Sequence, residues 1–199
     1  MVTARTAAQE LARLLLRTGE APLEHGGATV LLEAITGTTL SADIAVRPAS
    51  DLSDEERALL GTLSPADACR REGLLRSPAG ILVARVTALV VTSRVPEPAR
   101  PALGIAPCGH LTTPVQEARS RTPLGHALRG LGISREQLGA TVTIADPGDA
   151  DSEIAVLSSA RLWRPSGWPL ALVTEQVYTQ FLSAYPPPWP LPDPNLRAS

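Results

Sequence analysis

Apolar positions recur at Leu11, Leu14 and Leu15, with Arg13 and Arg17 falling elsewhere on the cylinder. That spacing predicts an amphipathic helix over 5–17, ended near Gly19. Residues 19–28 carry Gly and Pro and read as a connection, followed by a short helix or turn at 28–36. The pattern then becomes strand-like over Leu40–Val46, before Pro48. Asp51 or Ser53 is placed to cap a short helix reaching Leu60, with acidic residues in its first turn. Two neighbouring strands are expected at 67–76 and 80–92, and Ser77–Gly80, with its Pro and Gly, is the turn between them.

Residues 96–114 hold five prolines and two glycines. They predict an irregular segment, a lid or Ω-like loop. Pro123 is placed to start a short helix through Arg129, and Ser134 to cap a helical turn over 133–138. Strands are expected at 140–145, 153–163 and 169–179. Pro147–Asp151 separates the first two, and the tight connection Pro165–Gly167 makes the last two a hairpin. Successive strands joined by short turns argue for antiparallel pairing and against βαβ units. The expected fold is α+β: a mostly antiparallel sheet of about six strands flanked by short helices. It fills residues 1–185 as one domain, with a Pro-rich and partly disordered tail over 186–199.

Composition narrows the function. With 199 residues the chain can bury one sizeable core. Aromatic residues are 3% of it, so a platform of stacked rings for nucleobases is not expected. The formal net charge is -2, which does not favour a polyphosphate partner. All 18 basic residues are arginines. Arg offers a planar fork that matches carboxylates, although a lysine-free chain also suits a GC-rich genome. The two cysteines, Cys69 and Cys108, make no disulfide framework and no metal spacing. Residues 1–10 lack the apolar core of a leader, and Ile81–Val91 is too short, and interrupted by Arg85, to span a bilayer. A cytoplasmic protein with no membrane span is expected.

Familiar catalytic signatures are missing: no Gly-rich phosphate loop with its Lys, no HExxH, no serine elbow. His25, His110 and His126 are isolated, and no metal or cofactor is implied. What remains is charge inside apolar strands. Arg71 and Glu72 open the run Arg71–Leu75, Arg85 interrupts Ile81–Val91, Arg161 sits within 154–163, and Glu175 within 170–177. Alternation puts Glu175 on a face with Ala171, Val173 and Val177, and Arg85 on a face with Ile81, Val83 and Leu89. A charge so placed either faces solvent or needs a buried partner. Structural ion pairs and a ligand site both fit. Several arginines with one carboxylate suit a small polycarboxylic acid that also bears a hydroxyl, each carboxylate forked by an Arg and the hydroxyl accepted by the Glu.

Four stretches at these residues resemble the chorismate–pyruvate lyase family, whose fold is shared with the ligand-sensing UTRA domains of GntR-type regulators. They are Arg71–Glu72–Gly73–Leu74–Leu75, Ile81–Leu82–Val83–Ala84–Arg85, Pro123–Leu124–Gly125, and the hairpin from Ser159–Ala160–Arg161–Leu162 through Gly167 to Thr174–Glu175. They occur in the family's order over roughly residues 29–183. Gly73 departs from the bulkier residue usual in the first stretch.

The resemblance implies an antiparallel sheet with a buried aromatic-acid site under helical flaps. Arg71 would hold the ring carboxylate and Arg85 the enolpyruvyl carboxylate. Leu124 would line the ring pocket, Glu175 would bind the ring hydroxyl, and Arg161 matches the hairpin's arginine. The implied reaction eliminates pyruvate from chorismate to give 4-hydroxybenzoate without a cofactor, driven by aromatisation. A UTRA-like, non-catalytic binder of a small aromatic or carboxylic acid is the alternative, as is a divergent lyase acting on a related enolpyruvyl acid. Residues 1–28 are too short for a winged helix, so a complete transcription regulator is not expected. A monomer or weak dimer, with a small-molecule acid as partner, completes the expectation.

Overall fold

A computed structural model describes residues 3–18, 27–61, 67–106, 118–144 and 153–189. His25, His110, Cys108, residues 107–114 of the Pro-rich stretch and residues 190–199 of the tail lie outside these.

The sheet is antiparallel throughout, as the short connections require. Among the described residues it holds seven strands: β1 (Ser41–Pro48), β2 (Ala68–Arg76), β3 (Leu82–Val91), β4 (Ala118–Ser120), β5 (Ser134–Val142), β6 (Ile154–Trp163) and β7 (Pro169–Tyr178), in the order β4-β1-β2-β3-β7-β6-β5. The expectation of about six strands missed β4, three residues too short to show alternation. It also misread β5. Ser134 with Gln137 three residues on mimics a helix start, yet the chain pairs from Ser134 opposite Trp163 to Val142 opposite Val156. The β6–β7 turn closes through Arg164 and Trp168, with Gly167 at φ 80 where a side chain would be strained.

Helices load one face of this sheet. α1 (Ala4–Thr18), α2 (Ala28–Thr36) and α6 (Thr179–Ala184) cover one end of it. Leu11, Leu15, Leu32 and Phe181 are buried there against Ile44, Leu75, Val156 and Val177. The short helices α4 (Arg100–Leu103) and α5 (Leu124–Ala127) cover the other end of the same face. Leu103, Leu124 and Leu128 pack there with Val46, Ala88, Leu162 and Val173. Two apolar half-cores therefore meet on one face, with a seam between them. Trp189, expected in the tail, is buried in the first half-core and donates its indole N–H to the Tyr185 carbonyl at 2.7 Å.

Among the described residues, the other face is thinly covered. α3 (Asp54–Leu60) packs over Leu89 and Val91. It begins at Ser53, whose hydroxyl accepts from the Glu56 N–H at 3.1 Å while the Glu56 carboxylate accepts from the Ser53 N–H at 2.7 Å. This reciprocal cap fixes the helix start at Ser53, not Asp51. No helix among the described residues is long and apolar enough to cross a membrane.

Candidate functional site

Strand register decides which side chains share the seam. Val46, Arg71, Ala88, Val173 and Ala160 form one rung across β1, β2, β3, β7 and β6. Ile44, Gly73, Val86, Glu175 and Ser158 form the next rung but one. Arg71 and Glu175 thus face the helices together, two strands and two residues apart, roughly 12 Å between their backbones at ordinary sheet spacings. The first turn of α2 (Ala28, Thr29, Val30), the start of α5 (Pro123, Leu124, Gly125), Arg71, Arg135 and Glu175 line one pocket, with Val86, Ala88, Leu162 and Val173 as its apolar floor. Its free space is about 40 Å³, room for roughly three waters. It is closed down in this conformation.

Arg71 is 2% exposed, and no acidic side chain among the described residues pairs with it. Its Nη2 donates to the Ser120 hydroxyl at 3.0 Å and the Thr122 carbonyl at 2.9 Å, while Nε is buried without a partner. Ser120 is held in turn by the Ala102 carbonyl at 2.7 Å. The short strand β4 therefore exists, in part, to aim this guanidinium. Burial pushes the Arg71 pKa down, to about 10, which leaves it charged at neutral pH. The neighbouring Cys69 thiol is pushed up to about 11, also by burial, so it is a core residue and not a nucleophile.

Glu175 is 4% exposed and does have a partner. Arg135 of β5 reaches it with Nη2 3.1 Å from Oε2. Arg135 is the site residue that the sequence did not disclose. Once 133–138 is taken as a helix, its side chain has no assigned face. Read as a strand, Arg135 lies opposite Leu162 and points to the seam.

Arg71, Leu124 and Glu175 thus line the same pocket, but Arg85 and Arg161 do not reach it. Arg85 is exposed on the opposite face of the sheet. The cause is a bulge: Arg76 pairs with Leu82 and Leu75 with Ala84, so Val83 is an extra residue and both Val83 and Ala84 are buried. Beyond it the alternation changes phase, and even-numbered positions face the seam. Leu89 is apolar for another reason, since it packs under α3. Arg161 also lies on the opposite face, 2.7 Å from Glu136 and over the Trp163 ring at 4.4 Å. That pairing holds the Glu136 carboxyl below its usual pKa.

Two helices beside the pocket are tied to each other. His126 of α5 sits 3.0 Å from Glu33 of α2, and the other Glu33 oxygen accepts the Leu40 N–H at 2.9 Å. This joins the two helices whose first turns line the site. Gly73, the departure noted in the sequence, also has a local reason. A Cβ there would overlap the Asp43 carbonyl and Ile44 of β1.

No protein-family model and no curated protein matches the chain. Among solved structures it is similar to the effector domain of PhnF from Mycobacterium smegmatis, at 18% identity and a TM-score of 0.49, covering 79% of this chain and 91% of that one. Against the PhnF structure as a whole the identity is 20% and the TM-score 0.47, covering 77% of this chain and 64% of that one. A putative transcriptional regulator from Streptomyces coelicolor matches at 22% identity and a TM-score of 0.39, covering 69% of this chain and 85% of that one. Likeness at this level carries no functional conclusion, so the chemistry must come from the pocket.

Proposed function

We propose that this fold is a non-catalytic binding domain for a small organic acid, held in the seam by Arg71. One observation carries the reading: a guanidinium 2% exposed, charged, and without an acidic partner among the described residues. A buried charge of this kind costs several kcal/mol unless something compensates it, and an arriving carboxylate does so with a charge-assisted fork. The first turn of α2 lies at the same pocket, with Gly27 as an N-cap that offers no side chain. Its N–H groups and positive dipole end favour the same charge. The apolar floor suits a hydrocarbon or aromatic body, and Glu175 offers an acceptor for a distal hydroxyl.

Chorismate lyase activity is the competing reading. It asks for a second cation free to hold the enolpyruvyl carboxylate; Arg85, expected in that role, is on the far face of the sheet, and Arg135, the other cation of the pocket, is paired with Glu175. Calorimetric titration with benzoate, 4-hydroxybenzoate and chorismate, in the intact protein and in Arg71→Met, tests the proposal. Binding of the hydroxybenzoate without pyruvate release, lost in Arg71→Met, is the expected outcome. Pyruvate formed from chorismate at catalytic rates replaces the binder with the lyase. Binding that survives Arg71→Met removes Arg71 as the anchor and the proposal with it.

A further inference from the structure

The ionised side chains of the pocket do not balance. Arg71, Arg135 and Glu175 are the ionisable residues among its described lining, giving two positive charges and one negative. Arg135 is already committed. Its Nη2 and Nη1 lie 3.1 and 3.5 Å from the two Glu175 oxygens, and its Nε and Nη2 donate to the Gln137 side-chain Oε1 at 3.2 and 3.0 Å. Gln137 is fixed in turn, its amide donating to the Gly139 carbonyl, the Ser158 hydroxyl and the Ser159 carbonyl at 2.7, 3.0 and 2.8 Å. The Arg135 and Glu175 side chains are 3% and 6% exposed. Arg135 and Gln137, two residues apart and paired with Leu162 and Ala160, address this face by ordinary alternation, and the irregularity at Leu138 comes only after both.

We infer that Arg135 is a specificity-determining residue that sets the charge of the ligand: by cancelling Glu175 at one end of the pocket it leaves Arg71 as the one uncompensated charge among the described lining residues, so the site takes an acid with one negative charge and a neutral far end and rejects a dianion. This rests on the reading of the pocket as an anion site. The physical reason is one of balance. A monoanion on Arg71 leaves the closed pocket neutral. A second carboxylate would lie at the Glu175 end, where the guanidinium is already shared, and would be buried without a cation. A neutral hydrogen-bond donor meets no such penalty, because the Glu175 oxygen facing Nη1 at 3.5 Å is weakly engaged and can accept.

The test compares two matched pairs, benzoate with terephthalate and butyrate with succinate, by calorimetry on the intact protein, Arg71→Met, Glu175→Gln and the double variant Arg135→Gln/Glu175→Gln. In the intact protein the monoacid is expected to bind at least about tenfold tighter within each pair, equivalent to about 1.4 kcal/mol. Glu175→Gln frees Arg135, and the order is expected to reverse in favour of the diacids. The double variant returns the pocket to one positive charge, and the monoacid preference is expected to return with it. Diacids that bind as well as monoacids to the intact protein, with both lost in Arg71→Met, overturn the role of Arg135 and leave the anion site standing. Failure of all four acids to bind, or binding indifferent to Arg71→Met, overturns the site itself. If Glu175→Gln does not fold, a double variant that still prefers the diacid, or an intact protein with no preference, overturns the inference.

Discussion

Arg71 is the residue on which stability and function pull apart. The buried guanidinium is disfavoured by desolvation, and its lowered pKa has the same origin. The sign follows by linkage: the unfolded chain holds this proton more tightly, so the penalty is fully present below about pH 10 and is relieved as pH rises towards the unfolded value. Replacing Arg71 with Met at neutral pH should therefore stabilise the empty protein, by about 1 kcal/mol or more, and raise the melting temperature by roughly 2–4 °C. The same variant should lose acid binding by roughly 10- to 100-fold, the worth of a charged hydrogen-bonded contact. Thermal melts and titrations on one preparation check both. A melting temperature that falls shows that Arg71 serves the fold through Ser120 and Thr122 instead. At this scale the sequence was legible where alternation is clean. Glu175 among Ala171, Val173 and Val177 could be assigned a face, and it faces the seam. Alternation gave Arg85 the wrong face, because one inserted residue moved every later side chain of β3 to the other side. Arg135 was hidden by a false helix start.

Elements show why these misreadings are local. A bulge or a three-residue strand leaves no period to detect, while the long runs of β2, β3, β6 and β7 carry enough alternation to be found within two residues of their ends. The close approach of β1 to β2 at Gly73 was invisible for a different reason: it is a contact between strands, not a pattern within one. Gly73→Val should push β1 away at Ile44 and cost about 1–3 kcal/mol, measured by urea unfolding. An unchanged midpoint would mean that the strands part freely there. The tie between α2 and α5 is likewise a tertiary fact. A pocket of about 40 Å³ must widen to admit a ring, and His126→Ala removes the hydrogen bond that joins the two helices whose first turns line it. A hydrogen bond of about 1 kcal/mol predicts benzoate association several-fold faster in His126→Ala by stopped flow, with affinity raised by a similar factor if the open state is what binds. Slower association would show that the tie shapes the site instead of closing it.

At the scale of the molecule, the described residues form a sheet with one heavily clad face and one that carries α3. Its burial is divided, since the half-core under α1, α2 and α6 and the half-core under α4 and α5 share strands but few side chains. The strands bind the two together, so unfolding should remain a single transition even when one half is weakened. Leu11→Ala, fully buried in the first half-core, should cost about 2–5 kcal/mol with coincident loss of helix signal and tryptophan fluorescence. Two separated transitions would show that the halves fold independently. The α+β class and the antiparallel hairpin order were readable from turn spacing alone, because short connections leave a chain few other ways to pair. The one-sided cladding was not, since half-exposed Thr, Ser and Leu on the back of β7 and β6 look in sequence like a second packed face.

The seam has a consequence for how such a protein can change over generations. Its charged side chains belong to neither hydrophobic half, so altering them leaves the apolar scaffold intact and, at Arg71, even relieves it. Selection can therefore rewrite what the joint accepts, acid by acid, while the architecture is inherited unaltered. Chains that keep the strand order could diverge until almost nothing of their lettering is shared, with novelty concentrated at the line where the two halves touch.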